Sequence, residues 1–262
     1  MRKAVHRIVL VLITAVLLSP MLMLLWATLH VGIHWSLASY IGLFHDGHFR
    51  RAMGRSIVVS LGAVAVSTII LSPSLYLVYS RFPKLLGFTE GLTLMPFVIP
   101  GVSLAIGYIT VYSSGPFPLS ETPILLPFAF SILGLPFFFR SYLNGLRTLQ
   151  VRVLADAAAS VGCGWWRTFL QVIVPNVFPA ILGGALLVFA LSMGEFVITD
   201  LTVGTVFSTF PVYMDSIFMY NPSEGASMAA LSYLITIMVV MMVGLFVSSV
   251  MLRKSRPIKR SD

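Results

Sequence analysis

The stretch SIVVSLGAVAVSTIILSPSLYLVYS, Ser56–Ser80, carries no charged residue from end to end. A helix needs about 20 such residues to cross a hydrocarbon core about 30 Å thick, so this run is long enough to span one. The rest of the chain points the same way. Of 262 residues, 58% are hydrophobic and 10% are charged, where a soluble domain carries about 25% charged residues. Mean hydropathy is +0.95. Such a chain cannot cover itself with polar surface, and lipid must be its solvent.

Working outward from Ser56–Ser80, five further runs have the length and apolarity of spans. The expected set is 8–29, 56–80, 91–113, 122–142, 175–196 and 228–252, in a single transmembrane domain over 1–262. In lipid every backbone polar group must be satisfied internally, so these runs are helices and the fold class is an all-α membrane protein. The amino-terminal run resembles a signal peptide, but Ile8–Leu29 exceeds the usual apolar region of about 7–15 residues, and a retained first helix is expected. Pro73, Pro96, Pro100, Pro127 and Pro136 fall inside the runs, where proline kinks a helix and frees carbonyls for other partners.

The net charge of +8 would suggest nucleic-acid binding in a soluble protein. Here the basic residues flank apolar runs. With both termini placed in the cytoplasm, all 17 Lys and Arg face inward except Arg50, Arg51 and Arg55, as the positive-inside rule requires. The single cysteine, Cys163, excludes an internal disulfide and a cysteine metal cluster.

The longest inward-facing polar stretch is the loop 147–174. Leu154–Val161 reads as one short helix, Gly162 and Gly164 interrupt it, and Trp165–Val174 reads as a second that stops or restarts at Pro175. The loop reads Asp156-Ala157-Ala158-Ala159-Ser160-Val161-Gly162, then Trp166-Arg167-Thr168-Phe169 and Val172-Ile173-Val174-Pro175. It resembles the EAA loop of permease subunits from binding-protein-dependent type I ABC importers. Gly162 and Pro175 hold that family's spacing, and the loop falls before the penultimate span. Asp156 stands where the family usually has Glu. The resemblance implies that the loop, between spans four and five, is the coupling element on which an ATPase subunit docks. Small residues such as Ala157 and Ala158 permit close approach, and a carboxylate near a helix start suits the positive end of the dipole.

The same resemblance implies the partners: a second permease subunit, homologous or identical; two ATP-binding cassette subunits; an extracytoplasmic solute-binding protein; and the bilayer, with no nucleic acid. It places the chain in a prokaryotic inner membrane. No Gly-x-x-x-x-Gly-Lys-Ser/Thr occurs, so ATP is handled by another subunit, and no cofactor, metal or catalytic residue is assigned to this chain. His-Glu-x-x-His is absent too, and all five histidines precede the second span.

Two acids stand in apolar context. Glu195 closes span five within Leu191-Ser192-Met193-Gly194-Glu195-Phe196, and Asp200 follows. Charges at membrane depth are costly and usually face a cavity. Ser192, Glu195 and Asp200 are therefore candidates for lining the solute path, against the alternative that the acids are merely solvated at the external interface. The Leu-Ser-Met-x-Glu-Phe stretch is similar to spermidine/putrescine-type permeases, and the Ser-Met-Gly-Glu form also to phosphonate permeases. The expected function is one half of an importer's translocation path for polyamines or another small polar solute. The alternatives are phosphonate or ferric iron, or an ion-coupled secondary transporter. The last would need coupled intramembrane acids and leaves the loop motif unexplained.

Overall fold

A computed structural model describes residues 2–31, 34–114, 118–204, 206–231, 234 and 241. In chain order its helices are α1 (Arg2–Leu29), α2 (Ala38–His45), α3 (Gly47–Arg81), α4 (Leu86–Val98), α5 (Gly101–Tyr112), α6 (Leu125–Thr148), α7 (Val151–Ser160), α8 (Trp165–Thr168), α9 (Val174–Met193), α10 (Val197–Val203) and α11 (Phe210–Tyr220). A two-residue antiparallel bridge pairs His30 with Trp35 and Val31 with His34. The fold is all-α. Among the described residues, four helices are long and apolar enough to cross a membrane: Leu12–Leu29, Gly47–Arg81, Leu125–Thr148 and Trp165–Met193. The sixth expected span, 228–252, lies outside the described residues apart from 228–231, 234 and 241.

The third expected span differs from a straight helix. Its two halves, Pro83–Val98 and Gly101–Tyr112, are bent by 97°. The cause is local. A residue before proline is driven out of the helical region, and Ile99 sits at φ −77°, ψ 129° with Pro100 at φ −56°, ψ 139°. Pro73, Pro96 and Pro136, by contrast, lie within α3, α4 and α6 without ending them.

The fourth span also runs on past its expected end at residue 142. Arg140 marks no end: α6 continues to Thr148, and the Arg140 guanidinium pairs at 2.8 Å with Glu90 of α4. The guanidinium thus brings its own counter-charge and need not terminate the helix.

The described residues divide into two compact units, one drawn from 2–51 and 213–241, the other from 52–212. In the first, Asp46 caps the start of α3, accepting the His48 N–H at 2.8 Å and the Phe49 N–H at 3.2 Å, and its other contact is the Tyr213 hydroxyl. Burial pushes the Asp46 carboxyl up, but these donors and the neighbouring His48 outweigh it and hold the group below the ordinary carboxylate value.

In the second unit the packing is dominated by α6 against α9. Small residues let two backbones approach closely where lipid offers no hydrophobic drive between helices. A Cβ on Gly145 would fall onto Ala180, and one on Gly184 would lie 3.1 Å from the Phe138 backbone. Ser141 Oγ donates across the gap to the Ala180 carbonyl at 2.7 Å. The buried stripe of the Trp165–Met193 run reads Phe169, Ile173, Val177, Ile181 and Ala185, one every four residues. In a pure α-helix each step of four overshoots a turn by about 40°, so the stripe would wind off its partner. A π turn over Phe169–Ile173 lengthens one turn and takes back part of that drift.

Candidate functional site

The loop singled out by its motif folds as helix α7, a turn, and α8 running through the π turn into α9. The second short helix expected over Trp165–Val174 is therefore not separate from the fifth span but its first turns. Pro175 therefore stands inside a continuous helix, two residues past the π turn, where its lack of an N–H leaves one carbonyl of the preceding turn without its usual partner.

Both ends of α7 are set by left-handed residues. Gln150 (φ 46°) turns the chain from α6 into α7, and its carbonyl accepts the Val153 N–H at 2.9 Å. Gly162 (φ 76°) turns it out. There the Gly162 N–H bonds the Ala159 carbonyl at 2.9 Å and the Cys163 N–H bonds that of Ala158 at 3.0 Å, so the last carbonyls of the helix are satisfied by the turn. An L-residue in this conformation costs about 1–2 kcal/mol, which glycine escapes. The glycine was legible in the sequence. Gln150 was not, because nothing about glutamine signals a positive φ.

Helix α7 is apolar on two faces. Val151 is buried, and Leu154, Ala155 and Ala158 are half-buried on the same side, at the i, i+3, i+4, i+7 positions that pack a helix down. The opposite side shows Val153 at 62% exposure, Ala157, and beyond the helix Val161 at 82%, with Trp166 nearby in sequence at 61%. Asp156 is exposed beside this ridge, and its carboxylate has no hydrogen-bond or ion-pair partner among the described residues. An outward ridge of small and medium apolar residues, with one unpaired carboxylate, is the form of a docking surface.

Three rings seat the loop on α3. Trp165 stacks on Tyr76 (centroids 5.3 Å, planes 28° apart) and on Phe169 (5.7 Å, 10°), and Tyr76 stacks on Phe169 (5.4 Å, 22°). Arg152 of α7 donates from Nε to the Tyr79 carbonyl at 3.1 Å and lies 4.8 Å from the centre of the Tyr79 ring. Sequence reasoning missed these residues; the only signal was the aromatic content of α3's last turns, which reads equally as an interface belt.

The other candidates are placed as follows. Ser192 is buried and donates to the Val188 carbonyl at 2.8 Å. Glu195 is half-buried, and both carboxylate oxygens are occupied: Oε1 accepts the Ile198 N–H at 2.9 Å, and Oε2 accepts the Thr199 N–H at 3.2 Å and hydroxyl at 3.3 Å. It caps α10. Asp200 is exposed on α10 itself. A cavity of about 270 Å³ lies between α3, α4 and α6, and none of these three residues lines it. Its Ser74, Thr89 and Thr93 hydroxyls bond their own helices' carbonyls, so its walls present hydrocarbon.

No family model matches the chain. Among curated proteins, it is 27% identical over 148 residues to a protein described as permease PhnV of a 2-aminoethylphosphonate transport system in Salmonella typhimurium. That alignment covers 56% of each chain, so the match spans little more than half the length of such relatives. It is 26% identical over 211 residues to the putrescine transport system permease PotI of Escherichia coli, covering 76% of this chain and 75% of that one. Among solved structures, a bacterial ABC transporter involved in import of the acidic polysaccharide alginate superposes on 97% of this chain and 98% of its own, with a TM-score of 0.64 at 15% identity. In sequence the chain thus resembles ABC transporter permeases, and its fold is that of an ABC importer's membrane subunit.

Proposed function

We propose that the chain is the membrane-spanning permease subunit of an ATP-driven importer and forms one half of the solute path. It is not itself an enzyme. A second permease subunit supplies the other half, one of two ATPase subunits docks on α7, and an extracytoplasmic binding protein delivers the solute. Both termini lie in the cytoplasm. The observation that carries this reading is α7 itself: a short helix bracketed by Gln150 and Gly162, packed down by one face, tied to α3 through Arg152, and presenting Val153, Ala157 and Asp156 on the other.

The solute is a polyamine or another small polar molecule. The sequence likeness to a putrescine permease supports the first, and the likeness to a permease described for 2-aminoethylphosphonate supports a phosphonate as the alternative. The test of the docking reading is charge reversal. Asp156→Lys should leave α7 intact, because the carboxylate holds no hydrogen-bond or ion-pair partner among the described residues, and should weaken co-purification of the ATPase subunits by about tenfold, the scale of a lost charge pair at an interface. Undiminished co-purification, with uptake at the wild-type rate in membrane vesicles, would remove α7 as the docking element.

A further inference from the structure

We propose that Trp165 is the positioning residue through which displacement of α7 reaches α3, so that the docking loop, the end of α3 and the start of α9 move as one body. This inference rests on the reading of α7 as the docking element.

A rod held at one point pivots; a rod held at two points transmits both translation and rotation. Helix α7 is held to α3 twice. Near its start, Arg152 grips the Tyr79 carbonyl and covers the Tyr79 ring. Just past its end, Trp165 lies against Tyr76. Tyr76 and Tyr79 are three apart on α3, hence neighbours on one face, and both are buried. The second grip is also joined to α9, because Phe169 completes the ring trio and opens the π turn that runs into that helix.

The trio resists sliding. Its centroids lie 5.3 to 5.7 Å apart with all planes within 28° of one another. Offset parallel rings at that spacing are in contact over their faces, and any displacement opens a void the surroundings cannot fill. What the site uses of Trp165 is its flat area: the indole N–H is buried and has no acceptor among the described residues. A buried donor without a partner is unfavourable, so the ring is kept for its packing and not for a hydrogen bond.

The test uses the assembled complex of permease and ATPase subunits in liposomes, with ATP plus vanadate as the probe. Cys163, the chain's one cysteine, is replaced (Cys163→Ser), and an environment-sensitive fluorophore is attached through Phe82→Cys, an exposed position just past α3. Nucleotide should change the signal at residue 82. Trp165→Ala should reduce that change by about fivefold or more while ATP hydrolysis and co-purification persist; Trp165→Phe should restore most of it. A full response in Trp165→Ala overturns the proposal, and so does an unresponsive residue 82 in a complex that hydrolyses ATP. Failure of the ATPase subunits to co-purify at all would instead sink the docking reading. Should Trp165→Ala fail to insert, Trp165→Leu, which keeps apolar volume without the flat ring, takes its place under the same criterion: a response at residue 82 cut by about fivefold supports the proposal, and a full response overturns it.

Discussion

Replacing Gly162 separates two causes that usually act together. A Cβ built on this glycine meets nothing within 4 Å, so the fold has room for a side chain there. What it lacks is tolerance of the backbone: φ is 76°, in the left-handed region. Gly162→Ala should therefore disfavour the turn by about 1–2 kcal/mol, a population loss of about 5- to 30-fold, with no steric term. Gly162→Asn should recover much of that, because asparagine enters this region more readily. Gly162→Trp carries the same backbone penalty into the open space around that Cβ, so a loss beyond that of alanine is the outcome expected where a partner covers the turn. The assay is uptake into membrane vesicles, with insertion checked by immunoblot and assembly by co-purification of the ATPase subunits. The expected order of uptake is wild type, Asn, Ala, Trp. Equal uptake by alanine and asparagine variants would refute the backbone argument, and a tryptophan variant no worse than alanine would refute a partner at this turn.

Gly145→Leu drives a side chain into Ala180 at the α6–α9 contact, and should destabilise the second unit by about 1–3 kcal/mol, seen as a lowered melting temperature in detergent. At Glu195, Gln keeps one carbonyl oxygen for capping α10 while Ala keeps none. Ala should therefore cost about 1 kcal/mol of stability and Gln less; if the charge itself serves a cationic solute, Gln loses uptake in a complex that still assembles, and unchanged uptake makes the charge a bystander. Asp46 titrates below the ordinary value of 3.8, so its capping stabilisation is complete above that pH and is lost as the pH falls through the lower folded value. Asp46→Asn should thus lower the melting temperature more at pH 7 than at pH 3, and an equal deficit at both would show that the charge is irrelevant.

Hydropathy was enough to find the long helices because lipid forces apolar runs into one conformation, and Ser56–Ser80 indeed lies within α3. It misjudged ends. The fourth span was expected to end at residue 142, and α6 runs on to Thr148. Proline gave an ambiguous sign: three of the prolines are absorbed within helices, and Pro100 breaks one, since the outcome depends on what satisfies the freed carbonyls. At the docking loop, the reversal at Gly162 was legible because only glycine adopts that φ cheaply. Gln150, the π turn and the Tyr76–Trp165–Phe169 stack were not legible. The stack joins residues far apart in the chain, and no local residue type marks a left-handed glutamine or a π turn. The capping by Glu195 had a local signal, a carboxylate three residues before buried Ile198, hidden by the expectation that an acid there must face the path.

The break at Ile99–Pro100 has a mechanical consequence. The arm on one side, α4, is tied near its start to α6 through Glu90 and Arg140; the arm on the other, α5, meets α10 where Gly101 faces Val197, and α10 is capped from the end of α9 by Glu195. An unbroken span would weld those two supports together like a beam. A joint of two residues leaves each arm fastened to its own support and concentrates flexure at one place. With 13 residues at 1.5 Å each, the α4 arm is about 20 Å long, and a rotation of about 10° at the joint sweeps its far end through about 3 Å. Such a rotation need not stretch any hydrogen bond within either helix.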